Sequence, residues 1–171
     1  MIRVAIVTIS DSAVAGTRED RSGPTLKQRV ETLGWRVVFV GLLPDDAGRI
    51  ASTLRHLADA GETDVVLTTG GTGIAPRDVT PEATRTVIER EIPGVAELLR
   101  SEGLKETPFA VLSRAVVGSR GRTLIMNFPG SSAGAVESLD AIVHLIPHMV
   151  DLLNGKTEHT GTAGVAKQKL P

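Results

Sequence analysis

The sequence predicts a three-layer α/β/α fold, with helices on both faces of a mostly parallel central sheet. Three features point to it. Apolar runs of strand length recur at residues 2–9, 35–43, 64–69 and 122–128. Between them lie segments with apolar positions at helical spacing, the alternation expected of a parallel sheet. The first run is apolar on consecutive positions (Val4, Ala5, Ile6, Val7), which suits a strand covered on both faces.

Each element follows from local signals. After the first strand, Ser22 is the expected N-cap of a helix, with Gly23 and Pro24 in its first turn. Leu26, Val30 and Leu33 then repeat at helical spacing until Gly34 stops the helix. "WRVVFVGLL" (35–43) reads as the second strand. Pro44, Asp45 and Asp46 turn the chain into a helix with Ile50, Leu54, Leu57 and Ala58 inward, ended by Gly61. The third strand covers 64–69. Thr80 is expected to cap a helix with Pro81 in its first position and Ala83, Val87 and Ile88 as its apolar stripe. Pro93 breaks it, and a further helix from Gly94–Val95 buries Leu98 and Leu99. Residues 108–116 favour a short strand, and 122–128 form a clearer one. A helix opening at Ser131 or Ser132 places Val136, Leu139 and Val143 on one face. Pro147 interrupts it, and Met149, Leu152 and Leu153 add a last turn or two. Residues 1–154 are expected to form one domain. The tail, 155–171, is Gly, Thr and Lys without apolar period and is expected to be disordered.

Composition narrows the function. The 171 residues are 41% apolar and 23% charged, as in a soluble globular protein. A net charge of −1 argues against a nucleic-acid partner held by charge alone. Trp35, Phe39, Phe109 and Phe128 are the aromatic residues, too few for a base-stacking surface. No apolar run approaches the length of a membrane span, so no membrane partner is expected. The first residues read as a strand rather than a signal peptide, because no small-residue cleavage site follows them. Cysteine is absent, which excludes disulfides, thiolate metal sites and a cysteine nucleophile and fits a cytoplasmic location.

Crossovers between parallel strands are right-handed, so the strand-to-helix turns gather at one edge, where ligands of such folds bind. Those turns are 10–22, 44–46, 70–80 and 127–132. The most unusual is "LTTGGTGIAPRDVTPEAT" (67–84). Gly70, Gly71 and Gly73, with Thr72 among them, permit positive φ and expose successive N–H groups to an anion. The helix start at Thr80 adds a partial positive charge. Three glycines alone fit a tight turn equally well. Arg77 offers a planar fork of donors to a phosphate oxygen. Asp78 would be repelled by phosphate unless a cation sits between them, and carboxylate plus phosphate is the ordinary way to hold Mg²⁺. Its bland alternative is a turn aspartate bonding its own backbone. Asp45 and Asp46 cannot both cap the next helix, so one of them is left to face the crevice. Ser10 and Asp11 end the first strand, and Asn127, Pro129, Gly130 and Ser131 follow another. Ser113 and Arg114 offer a second anion contact, or simply a surface arginine. No Walker loop, G-x-G-x-x-G or G-x-S-x-G occurs. His144 and His148 are separated by Pro147, which spoils the helix face a metal pair would need.

Together these turns resemble one family. "TISDS" and "DRSGP" within 8–24, "LPDD" (43–46), "TTGGTGIAPRDVTPEAT" (68–84), "IPG" (92–94), "LSR" (112–114) and "NFPGS" (127–131) look like the MogA/MoaB proteins of molybdenum-cofactor biosynthesis. The resemblance covers residues 2–152 and implies a molybdopterin-binding fold, a homotrimer and a transient complex with the molybdate-insertion enzyme. It implies Mg²⁺-dependent adenylation of molybdopterin by ATP, giving adenylyl-molybdopterin and pyrophosphate. On that resemblance Asp45 and Asp78 are catalytic and hold Mg²⁺. Gly70, Gly71, Thr72 and Gly73 form the nucleotide and pterin-phosphate loop. Ser113, Arg114, Asn127, Pro129, Gly130 and Ser131 fall on the pterin side. Ser10, Asp11, Arg77 and Thr80 complete the expected binding set. Many members of the family it resembles carry a Pro-Lys pair after Leu-Pro-Gly, where this chain reads Phe128-Pro129-Gly130-Ser131-Ser132-Ala133-Gly134 and has no lysine. A non-catalytic MoaB-type paralogue is the alternative.

Overall fold

The computed structural model describes residues 1–156. Its strands are β1 (Arg3–Ile9), β2 (Arg36–Leu43), β3 (Val65–Thr69), β4 (Arg90–Glu91), β5 (Val117–Arg120) and β6 (Thr123–Phe128). Its helices are α1 (Asp11–Val14), α2 (Ser22–Thr32), α3 (Ala47–Asp59), α4 (Thr80–Arg85), α5 (Pro93–Gly103), α6 (Ser132–Ile142) and α7 (Ile146–Leu153). One six-stranded sheet runs in the order β2-β1-β3-β6-β5-β4. β1 pairs in parallel with β2 and β3, and β3 with β6. β5 and β4 extend the sheet in antiparallel fashion. The mixed α/β architecture agrees with the one expected, and the antiparallel extension accounts for "mostly" parallel.

The consecutive apolar positions of β1 follow from two cores. Val4 and Ile6 face a core with Leu26 and Val30 of α2, Leu99 of α5 and Leu139 of α6. Ala5, Val7 and Ile9 face the other, with Ile50 and Leu54 of α3 and Ala83 of α4. β3 and β6 divide the same way, with Leu67 and Met126 on one side and Val66 and Ile125 on the other. A strand whose side chains alternate between two dry layers cannot alternate apolar and polar. β2 is an edge strand and departs from this, leaving Val38, Phe39, Val40 and Leu42 exposed.

Three local expectations are corrected. Ser22 does not cap α2. Arg21 holds the cap position with no side-chain bond, and Asp20 before it supplies the acceptor, its Oδ1 taking the Gly23 N–H at 3.0 Å. Thr80 does not cap α4 either. Its Oγ1 donates to the carbonyl of Gly70 at 3.0 Å, and Val79 at the cap position makes no side-chain bond. Residues 108–116 are not a strand. Pro108–Leu112 form a 3₁₀ turn, opened by Thr107 Oγ1 accepting the Phe109 N–H at 3.3 Å, and β5 begins only at Val117. Gly34 and Gly61 end their helices with φ of +74° and +73°, as expected. The expectation for the tail lies outside the described residues from 157 onward.

The amino-terminal ends of β1 and β3 are tied by Arg3 and Asp64. The Arg3 amide and Nε donate to Asp64 Oδ2 at 2.8 and 3.1 Å, and Nη2 donates to Oδ1 at 2.7 Å. Burial pushes the Asp64 carboxyl up, but the hydrogen bonds from Arg3 outweigh it and hold the group below the ordinary aspartate value. A depressed folded pKa contributes stability that is present above the unfolded value, near 3.9, and is lost as pH falls through the folded value. Asp64→Asn is therefore expected to cost about 1–2 kcal/mol at neutral pH, a figure reduced for the half-exposed arginine. Urea melts should show the gap between variant and wild type closing as pH falls below about 4.

Candidate functional site

The connection leaving β1 leads to α2 in one core layer, whereas that leaving β3 leads to α4 in the other. Neighbouring strands whose connections part to opposite faces open a crevice beyond their carboxyl ends. The turn after β3 fills it. Gly70 and Gly71 have φ of +102° and +65°, which L side chains rarely adopt. Gly70 lies against the carbonyl oxygen of Ile9, and a Cβ there would overlap it. Gly71 lies against Thr80 Oγ1 and Asp45 Oδ1. A Cβ on Gly73 would come within 2.8 Å of Asp78 Oδ2. The loop is thus folded tightly between the two acids. The N–H groups of Gly71, Thr72 and Gly73 have no acceptor among the described residues. Three consecutive open amides form an anion-binding concavity.

Asp46 caps α3, its Oδ1 accepting the Arg49 N–H at 2.9 Å, so Asp45 is the acid left to face the crevice. Asp45 and Asp11 clasp each other: the Asp11 N–H donates to Asp45 Oδ2 and the Asp45 N–H to Asp11 Oδ1, both at 3.0 Å. Arg77 donates to both oxygens of Asp11, at 2.9 and 3.0 Å. That hydrogen bond, then the one from the Asp45 amide, holds the Asp11 carboxyl below its ordinary value. Asp45 is shifted the other way. Burial raises it, and the charges of Asp11 and Asp78 add to the rise against the Asp11 hydrogen bond and Arg77. Asp78 Oδ2 accepts the Ala75 N–H at 2.9 Å across its own turn.

Two crevices meet over this loop. One, of about 990 Å³, is lined by Gly71–Gly73, Asp78, Ser113, Asn127 and Pro129–Ser131, with an apolar wall including Leu99, Phe109 and Leu112. The second, of about 720 Å³, is lined by Ser10, Asp11, Asp45, Gly70, Gly71, Asp78, Gly130 and Ser131, and also by Arg18, Asp20 and Arg21. Gly71, Asp78, Gly130 and Ser131 border both.

Most of the residues singled out in the sequence therefore gather in one place, but several spend their side chains internally. Ser10 and Ser131 cap α1 and α6, accepting the N–H groups of Ala13 at 3.2 Å and Gly134 at 3.1 Å. Ser113 Oγ accepts the Ala115 N–H at 3.3 Å. Asn127 is 0% exposed. Its Nδ2 donates to Thr68 and Thr84 hydroxyls at 3.0 and 2.9 Å, and its Oδ1 accepts the Val116 N–H at 3.2 Å. It braces the crevice floor from beneath. Arg77, Thr80 and Arg114 border neither crevice. Residues not anticipated include Asp20, Arg18 and Arg21, and the half-exposed Glu82, which pairs with Arg114. Glu82 stands in the quoted TPEAT segment, but nothing in its spacing names a partner thirty-odd positions on.

No group of three or more His, Cys, Asp or Glu side chains among the described residues is arranged to hold a metal. Asp45 and Asp78 fit a different arrangement. Each has one oxygen tied to a backbone amide, leaving Asp45 Oδ1 and Asp78 Oδ1 without a donor among the described residues. One or two carboxylates completed by substrate phosphates and water is how Mg²⁺ is commonly bound. No helix among the described residues is long and apolar enough to cross a membrane.

Residues 5–148 match the profile of a family described as "Probable molybdopterin binding domain". The chain is 43% identical over 153 residues to the molybdenum cofactor synthesis protein cinnamon of Drosophila melanogaster, a match covering 89% of this chain but 26% of the fly protein. It is 38% identical over 156 residues to the molybdopterin adenylyltransferase of Helicobacter pylori, covering 90% and 89% of the two chains. The crystal structure of the molybdopterin biosynthesis enzyme MoaB from Thermus thermophilus superposes with a TM-score of 0.85 at 48% identity, covering 91% of this chain and 98% of that one.

Proposed function

The chain belongs to the molybdopterin-binding-domain family of molybdenum-cofactor biosynthesis, and from that premise we propose that it adenylates molybdopterin with Mg-ATP. The observation that carries this reading is the meeting of two crevices over Gly71 and Asp78, with Asp45 alongside. Two anionic substrates need adjacent compartments and a shared border where their phosphates touch. The larger crevice, with its apolar wall, would take the pterin, and the more polar one the nucleotide.

In the reaction, an oxygen of the molybdopterin phosphate forms a bond to the α-phosphorus of ATP. The bond from that phosphorus to the bridging β-oxygen breaks, and pyrophosphate leaves. A phosphate monoester is largely ionised near neutral pH, so no strong base is required. The work left to the protein is positioning and charge stabilisation. The open amides of Gly71, Thr72 and Gly73 would donate to phosphate oxygens. Ser131 holds the start of α6 beside them, adding further amides on the opposite border. Asp45 and Asp78 would hold Mg²⁺, which when bound supplies neutralisation of the phosphate charge. Burial and two neighbouring acids raise the Asp45 carboxyl, and a cation bound there would favour its charged form.

A homotrimer, a transient complex with a molybdate-insertion enzyme and a cytoplasmic location belong to the same proposal. The exposed apolar positions of edge strand β2, Val40 at 48% among them, offer a surface for association between copies. A second reading, a non-catalytic pterin carrier, draws on the stretch Ser131–Gly134, which follows Pro129 and Gly130 without the lysine that the resemblance leads one to expect. One experiment separates them. Purified protein given ATP, molybdopterin and Mg²⁺ is expected to release pyrophosphate, and chelation by EDTA to stop it. Molybdopterin binding by calorimetry with no pyrophosphate release would replace the enzyme by the carrier.

A further inference from the structure

Arg114 stands in a segment that offered a second anion contact, yet each of its three guanidinium nitrogens makes a bond within the protein. Nε donates to the carbonyl of Gly73 at 2.7 Å and Nη2 to the carbonyl of Asp78 at 2.7 Å. Nη1 pairs with Glu82 on α4. The Arg114 amide donates to the carbonyl of Thr72 at 2.9 Å. One residue therefore grips both ends of the 73–78 loop and the helix that follows. Burial raises the Glu82 carboxyl, but its hydrogen bond from Arg114 outweighs this and the net shift is downward.

We infer that Arg114 is a positioning residue that sets the direction of the Asp78 carboxylate by fixing the span of the 73–78 loop, rather than a ligand of the substrate. This rests on the role proposed above for Asp78. The geometry excludes most of the alternative: the guanidinium borders neither crevice, and three of its N–H groups are spent on acceptors in one planar array. Lysine has the charge but not the fork, and its single ammonium cannot reach two carbonyls and a carboxylate in that layout. The Asp78 carboxylate is oriented from within the loop, where Oδ2 accepts the Ala75 N–H and the Asp78 N–H donates to the Ala75 carbonyl at 2.9 Å. Loosening Gly73 from Asp78 releases that small turn and the acid with it.

The test compares Arg114→Lys, Arg114→Ala and Glu82→Gln in the full chain. For a group that positions the metal-binding acid, kcat should fall about 100-fold in Arg114→Lys, the loss expected of a misplacement near 1 Å. KM for molybdopterin should stay within about twofold. Guanidinium salts should partly restore Arg114→Ala. Amide exchange at Ala75 and Asp78, followed without substrates, should speed up in both Arg114 variants. A rise in KM with kcat preserved would make Arg114 a substrate ligand and overturn the inference, as would unchanged exchange at those amides. If wild-type protein releases no pyrophosphate, the proposed function fails, while the exchange data still decide whether the clamp exists. Should both Arg114 variants fail to fold, Glu82→Gln provides the same exchange readout with a smaller effect, and no change there would also reject the clamp.

Discussion

Asp78→Asn is expected to lower kcat for adenylation by about 10²–10³-fold, the scale of losing one electrostatic contact to the reacting phosphates. The fold should survive. The Asp78 side chain is tied to the protein through one accepted hydrogen bond, from the Ala75 N–H at 2.9 Å, and the amide oxygen of asparagine can accept it. Unfolding free energy should therefore stay within about 0.5 kcal/mol of wild type. What disappears is the charge that a cation between carboxylate and phosphate requires. Asp45→Asn should behave alike in turnover, since Asp45 Oδ2 takes the Asp11 amide and Oδ1 is the open atom. Asp46→Asn is the control one residue away. It caps α3, asparagine caps as well as aspartate, and activity should be unchanged. Pyrophosphate release and urea melts on the three variants check this. Wild-type turnover in Asp78→Asn would remove the acid from the mechanism.

Gly70→Ala should be the most damaging change to stability in the site, at about 2–5 kcal/mol. Part of this is the φ of +102°, which costs an alanine about 1–2 kcal/mol. The rest is collision with the Ile9 carbonyl, where forced packing adds about 1–3 kcal/mol. That carbonyl cannot easily retreat, because Ile9 is paired to Leu43 and its strand is held between β2 and β3. Gly16 offers the comparison. Its φ is +72°, but nothing lies within 4 Å of a Cβ placed there, so Gly16→Ala pays for backbone strain alone. Equal destabilisation of the two variants by urea would show that the close approach at Gly70 carries no weight.

The central strands and their helices were legible because burial on two faces leaves a plain mark: unbroken apolar runs, then apolar residues three and four apart. β4 and β5 left none. They are two and four residues long, and a ribbon that short has no period to detect. That residues of the four turns gather at one end of the sheet was also legible, since parallel topology alone brings them together. The roles of its polar residues were less so. Local spacing pointed to Ser22 where Asp20 supplies the acceptor, and left Asp45 and Asp46 both open as caps, and only the path of the chain decides which acts. Arg77 and Arg114 looked like phosphate ligands because an arginine's sequence neighbours say little about its acceptors. Those of Arg77 lie on Asp11, sixty-six positions away. Asn127 is similar: its partners, Thr68, Thr84 and Val116, come from three separate elements.

The reciprocal clasp between Asp11 and Asp45 has an evolutionary consequence. Each carboxylate satisfies the other's backbone, so a lineage that loses either side chain strands an amide beneath the remaining one. The two positions should drift as a couple. Asp78, whose carboxylate accepts only an exposed amide of its own turn, has no such reciprocal tie and can change without a matching change elsewhere.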